Sequence, residues 1–81
     1  MRDPRVVPVV GDQIFHPRRR MLYVVMHAGN ANRMDGTVRA DVFLSHQGEY
    51  NPGGQLPRWR GSVRNWRLSM KDAKVKVYGG G

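Results

Sequence analysis

The sequence predicts a mostly antiparallel β protein: a small, strongly bent barrel with one short helix before its last strand. Three observations predict it. Apolar and polar residues alternate in Thr37–Ser45 and again in Lys74–Tyr78, the period of strands with one face buried. Met21–His27, MLYVVMH, is a β-rich apolar run. A helical period appears in a single segment, Ser62–Lys74. Closure or near-closure of the sheet hides edges that a small open sheet would expose.

The elements follow in chain order. Residues 1–8, MRDPRVVP, are an extended lead-in, because Pro4 and Pro8 disfavour helix and push their neighbours toward extended backbone. Val9–Phe15, VVGDQIF, is a first strand interrupted by a turn or bulge at Gly11-Asp12. His16–Arg20 is a basic loop, and Met21–His27 is the second strand. Ala28–Gly36 is rich in Gly, Asn and Asp and closes on Asp35-Gly36, a hairpin signal. Thr37–Ser45 then returns as the third strand, with Val38, Ala40 and Val42 on one side and Arg39, Asp41 and Phe43 on the other.

His46–Pro57 is a long, turn-rich loop, and loops of this length in a compact domain are functional or disordered. RWRG, Arg58–Gly61, is a short strand into the last part of the chain. Ser62 caps the helix that follows. Asn65 stands where a capping box wants Glu or Gln, so the box is incomplete. Val63, Trp66, Met70 and Ala73 form an apolar stripe on this helix. Arg64, Arg67, Lys71 and Lys74 form a basic stripe beside it. Lys74–Tyr78 is the last strand, with Val75 and Val77 inward, and Gly79–Gly81 form a flexible end.

The 81 residues make a single domain, 1–81. No cysteine is present, so neither disulfides nor thiolate metal sites reinforce a core of limited size. No apolar run is long enough to span a bilayer. The opening MRDPRVVPVVGD breaks the apolar stretch a signal peptide requires. The expectation is a soluble, cytoplasmic protein without a membrane partner.

Charge is the strongest bulk signal. Fourteen Lys and Arg face six Asp and Glu, a formal net charge of +8. Eleven of the fourteen are arginine, whose planar fork binds phosphate and carboxylate and stacks on flat rings. Such a domain attracts polyanions, although a charge run can equally be a solvated face.

The chemistry of catalysis is not legible. His16, His27 and His46 are scattered, and no Cys joins them in a metal motif. The carboxylates show no paired signature, and Ser45-His46 adjacency is no evidence for a nucleophile and its base. GNANRMDG lacks the spacing and the Lys-Ser/Thr of a P-loop. No enzyme activity, metal or cofactor is expected.

Arg58–Arg67, RWRGSVRNWR, holds both tryptophans among four arginines. Trp66 shares the apolar stripe and belongs in the core. Trp59 has two readings. In an alternating strand it points away from Arg58 and Arg60 and is buried. In a loop it stacks on a base or anchors a partner.

Two segments resemble a family. DPRVVPVVGD, with Asp3, Pro4, Arg5, Pro8, Gly11 and Asp12, and SVRNWRLSMKDAKV, with Ser62, Val63, Trp66, Arg67, Ala73 and Val75, resemble the two ends of small phage and prophage proteins. Those look like SH3-like barrels, and most have no assigned function. The resemblance implies a barrel and a phage-associated origin, and it implies no catalytic residue. The loop Gln47–Pro57 departs from the shorter members.

The first functional expectation is a small phage-type accessory protein that binds DNA or RNA with low sequence specificity. Its phosphate contacts would be Arg18, Arg19, Arg20, Arg58, Arg60, Arg64, Arg67 and Lys71. The second is a protein-interaction module, a phage-encoded modulator docking on an acidic surface of a host protein with Trp59 as anchor. A structural phage component is third. Oligomeric state is not legible.

Overall fold

The computed structural model describes residues 2–80. Strands β1 (Gln13–His16), β2 (Met21–Gly29), β3 (Thr37–Leu44) and β4 (Gln55–Ser62) precede helix α1 (Val63–Ser69) and strand β5 (Lys74–Val77). They form one sheet in the order β4-β3-β2-β1-β5, and every neighbouring pair is antiparallel. The protein is therefore mostly β, with one short helix before the last strand, as the alternation and the single helical period predict. Among the described residues no helix is long and apolar enough to cross a membrane.

The core lies on the inner side of the sheet. Ile14, Tyr23, Val25, Val38, Ala40 and Val42 point inward from β1, β2 and β3, and Val63, Trp66, Met70 and Ala73 meet them from the helical segment. Trp66 is the largest buried side chain. Its ring stands edge-on to Tyr23 at 6.1 Å and to Trp59 at 5.1 Å. Its indole N–H donates to the carbonyl of Pro4 at 3.0 Å, so the polar end of a buried ring is satisfied.

The helix starts where the sequence places it. Ser62 has extended backbone, and its hydroxyl accepts the Asn65 N–H at 3.2 Å. The helix ends at Ser69, shorter than the expected Ser62–Lys74, because Met70 has left helical geometry at φ −96° and ψ 7°. Tertiary pairing overrides the period here: Lys74 must lie opposite Phe15 to begin β5. The apolar stripe is still buried throughout, since the turn after Met70 returns Ala73 to the core.

Several other expectations need correction. The lead-in is not extended: Asp3 O accepts the N–H groups of Val6 and Val7, folding Pro4–Val7 into a turn. The first strand begins only at Gln13, because Gly11 at φ +95° turns the chain beforehand. His16 ends β1 and is buried rather than lying in a loop. The fourth strand is Gln55–Ser62, twice the length of RWRG, so it takes residues from the expected long loop. Val77 is exposed and does not point inward. Val75 lies opposite Ile14 but Val77 opposite Gln13, so the register shift turns Val77 outward with Gln13. Gly79, expected to be part of a free end, donates its N–H to Asp12 Oδ1 at 2.7 Å and accepts from Arg2 at 3.0 Å.

The outer side carries a second, smaller apolar group. Leu22 lies opposite both Phe15 and Phe43. Tyr50 from the loop after β3 packs on Phe43 with ring centroids 4.8 Å apart. Gly48 of the same loop sits against Phe15 and Lys76, with room for no more than a close Cβ contact. This loop covers one end of the outer face, which is why Phe43 is buried on a side that otherwise reads as polar.

Three substitutions test this packing. Trp66→Ala should cost about 3–5 kcal/mol, because it removes a buried aromatic and orphans the Pro4 carbonyl. Trp59→Ala should cost less, since one edge of that ring is already exposed. Urea unfolding of both variants checks the order. Asp12→Ala should cost on the order of 3 kcal/mol, because it breaks a buried ion pair and strips two backbone N–H groups of their acceptor. The same unfolding measurement checks it.

Candidate anion-binding face

The remaining half of the outer face is cationic. His27 lies directly opposite Arg39 on β3, and Arg39 lies directly opposite Arg60 on β4. Three neighbouring strands thus carry a row of basic side chains about 10 Å across, two inter-strand spacings. Thr37 stands beside the row, its hydroxyl 3.5 Å from His27 Nε2. His27, Thr37, Val38, Arg39 and Arg60 line an open groove of about 340 Å³.

Two irregularities build this row. The register of β2 on β3 shifts between Val25 and His27. That leaves Met26 as the extra residue and sends His27 outward, where strict alternation would have pointed it into the core. The register of β3 on β4 shifts between Ala40 and Val42, with Ala40 opposite Trp59 and Val42 opposite Leu56. The extra residue of β4 falls at Pro57-Arg58, and Pro is accommodated at such bulges and on an end strand. Trp59 is then inward and Arg60 outward.

The row is electrostatically unbalanced. Arg39 and Arg60 are like charges placed directly across two strands, an arrangement that costs stability. No carboxylate lies within ion-pair distance of either among the described residues. Elsewhere the carboxylates are occupied: Asp3 by Arg5, Asp12 by Arg2, Asp35 by Arg33, Asp41 by Arg58 and Asp72 by Arg18. Five of the six acids thus hold five of the fourteen cations, leaving nine cations and Glu49.

The residues singled out in the sequence separate into groups. Arg18 lies 3.8 Å from Asp72, both well exposed, and Arg19 donates to the Tyr23 hydroxyl at 3.2 Å. Arg20 adopts φ 54° in the turn before β2, and its carbonyl accepts the Ser45 N–H. These three sit at the Met21 end of β2, six residues along that strand from His27 and hence about 20 Å away. Arg58 is taken up by Asp41 at 3.2 Å. Arg67 is half-buried, donating to Val6 O at 2.8 Å and to Met34 Sδ at 3.0 Å. Lys71 and Arg64 are exposed, and the Arg64 N–H donates to Met34 O at the same end of the sheet as the row.

The sequence marks Arg60 as a candidate phosphate contact but not Arg39 or His27. Arg39 carried one available signal: it alternates outward from Val38 and Ala40. His27 carried none, because its direction depends on the Met26 bulge. Trp59 faces inward against Trp66, and one edge of it borders an apolar groove with Met21, Tyr23, Val42, Leu56 and Pro57. Among the described residues no three of His, Asp and Glu converge as a metal site would need. The chain matches no protein-family model, no curated protein and no solved structure.

His16 is unlike His27. It is 5% exposed, and its Nδ1 accepts the Arg19 backbone N–H at 3.4 Å, a role open only to the neutral ring. Burial holds its pKa below the ordinary histidine value; the charge of Arg19 pushes the same way, Asp72 pulls against it less strongly than Arg19 pushes, and Arg18 adds a smaller push downward. A base with a depressed folded pKa contributes stability that is complete above its unfolded pKa, about 6.5, and lost as pH falls toward the folded value. The melting temperature should therefore fall between about pH 7 and pH 5, above the range where ordinary carboxylates titrate. His16→Gln should flatten that part of the profile, as followed by thermal melts across the window.

Proposed function

We propose that the protein binds nucleic acid through phosphate contacts made by the His27–Arg39–Arg60 row, with little base preference. The observation that carries this reading is the pair of arginines opposed across β3 and β4 with no carboxylate between them. Packing does not require that pair: both side chains are exposed, and their mutual repulsion opposes the sheet. A phosphate between the two forks would turn the repulsion into two charge-assisted contacts. The Thr37 hydroxyl offers a further donor beside them.

Surrounding charge adds reach. Among the described residues nine cations have no carboxylate partner, and they produce a field that draws polyanions to the whole surface, with Arg64 on the helix and Lys71 in the turn after it contributing. Arg18–Arg20 form a separate basic patch, reduced by the contacts Arg18 and Arg19 already make. Backbone phosphates carry no sequence information, so contacts of this kind position the ligand without reading it. The setting suggested by the two terminal segments is that of a phage accessory protein in the host cytoplasm.

Fluorescence anisotropy with labelled oligonucleotides at several salt concentrations tests the proposal. Binding should weaken steeply with salt. The double variant Arg39→Gln/Arg60→Gln should lower the log–log slope by about 0.7–0.9 for each phosphate it no longer neutralises. It should melt no lower than the parent, because it removes a repulsion and no hydrogen bond. Changing Arg18, Arg19 and Arg20 together to Gln should flatten the slope less. Absence of binding at low salt, where electrostatic attraction is strongest, overturns the reading.

A further inference from the structure

We infer that the ligand of the arginine row is duplex rather than single-stranded nucleic acid. This deepens the reading above and rests on it. Proteins that hold single strands without sequence preference combine a basic groove with aromatic rings on which successive bases stack. The sequence supplies seven such rings, and the fold turns nearly all of them away from the row. Trp66 and Tyr23 are buried inside the sheet. Trp59 lies opposite Ala40 on the inner side, wedged edge-on against Trp66 and over Gly61. Phe43 is covered by Tyr50, and Phe15 is half-buried beneath Gly48. Tyr78 is exposed, but it lies beside Arg2 near the ends of the chain, the guanidinium 5.9 Å from the ring centroid.

Tyr50 is the exception, with 60% of its surface exposed on the same side as the row. It packs against Phe43, four residues along β3 from Arg39 and so about 13 Å away. One ring at that distance makes no platform for consecutive bases. What the face offers is positive charge anchored at neighbouring positions of a sheet. Its response depends on the charge density of the ligand, and a duplex presents one phosphate per about 1.7 Å of axis, twice the density of either strand alone. Binding also gains more from a ligand whose phosphates are already held in place than from a strand that must be ordered on binding.

The test compares a short labelled duplex with an unstructured single strand of the same length and phosphate concentration, by anisotropy at low salt. The duplex should bind several-fold tighter. Arg39→Gln/Arg60→Gln should weaken duplex binding, and Tyr50→Ala should leave it unchanged. Equal or tighter binding of the single strand overturns this inference while leaving phosphate binding intact. So does a Tyr50→Ala variant that binds more weakly, because that is the mark of stacking. Failure to bind either form overturns the nucleic-acid reading itself, and this inference with it.

Discussion

The carboxylate of Asp12 has no exposure to water, yet it accepts four hydrogen bonds. Two come from the Arg2 guanidinium at 2.6 and 3.0 Å, one from the Val9 N–H and one from the Gly79 N–H, both at 2.7 Å. A buried ion pair repays its desolvation only when its remaining lone pairs are satisfied, and here they are. Through these bonds the start of the chain, the turn before β1 and the residues after β5 meet at one point. The backbone permits this because Gly11 turns at φ +95° and Gly79 passes so close that any Cβ there would collide with Gly11. Arg2 also donates to Val7 O, closing the N-terminal turn onto the same point.

That junction explains how so short a chain holds its helix against the sheet. The N-terminal turn lies across the helical segment, and each contact uses a carbonyl or donor the turn exposes. Pro4 O receives the Trp66 indole, Val6 O receives Arg67, and Arg5 reaches Ala73 O at 3.1 Å while paired with Asp3. Pro4 and Pro8 are themselves buried. Prolines suit this role, since their fixed φ lowers the entropy lost on ordering the turn. Arginine accordingly serves two purposes. Arg2, Arg5 and Arg67 hold the N-terminal segment in place, while Arg39 and Arg60 have no such partner.

Much of the fold was legible because it rests on local patterns. The alternation of Val38, Ala40 and Val42 gave the inner face of β3, Ser62 gave the helix start, and Val63, Trp66, Met70 and Ala73 gave its buried stripe. What could not be read depends on contacts between distant residues. Phe43, at a polar-looking position, is buried where Tyr50 returns from the following loop to pack on it beside Leu22. Arg67 looks like part of a basic stripe until Val6 and Met34 are brought beside it. The candidate face is the extreme case. Arg60 is a conspicuous residue beside a tryptophan, but its alignment with Arg39 and His27 needs the register of three strands and two bulges. No single segment encodes that alignment.

The position of the basic row on the sheet follows from the same division of labour. One end of the outer face is given to packing, where the loop carrying Gly48 and Tyr50 covers Phe15, Leu22 and Phe43. Charge there would be buried, and each unpaired ion would cost several kcal/mol. The inner face is packed by α1 and the N-terminal turn and, along Trp59, Tyr23, Val42 and Leu56, borders an apolar groove, so it too disfavours unpaired charge. The end of the outer face near the β2–β3 turn is open to solvent, and there the sheet can carry adjacent cations at the lower cost of repulsion in water, about 1 kcal/mol for unit charges 4 Å apart in bulk solvent. The hydrogen bonds that tie the N-terminal turn and the chain end to the sheet converge on Asp12 and Arg2, away from the arginine row. On the proposed reading, a phosphate between Arg39 and Arg60 would relieve that repulsion.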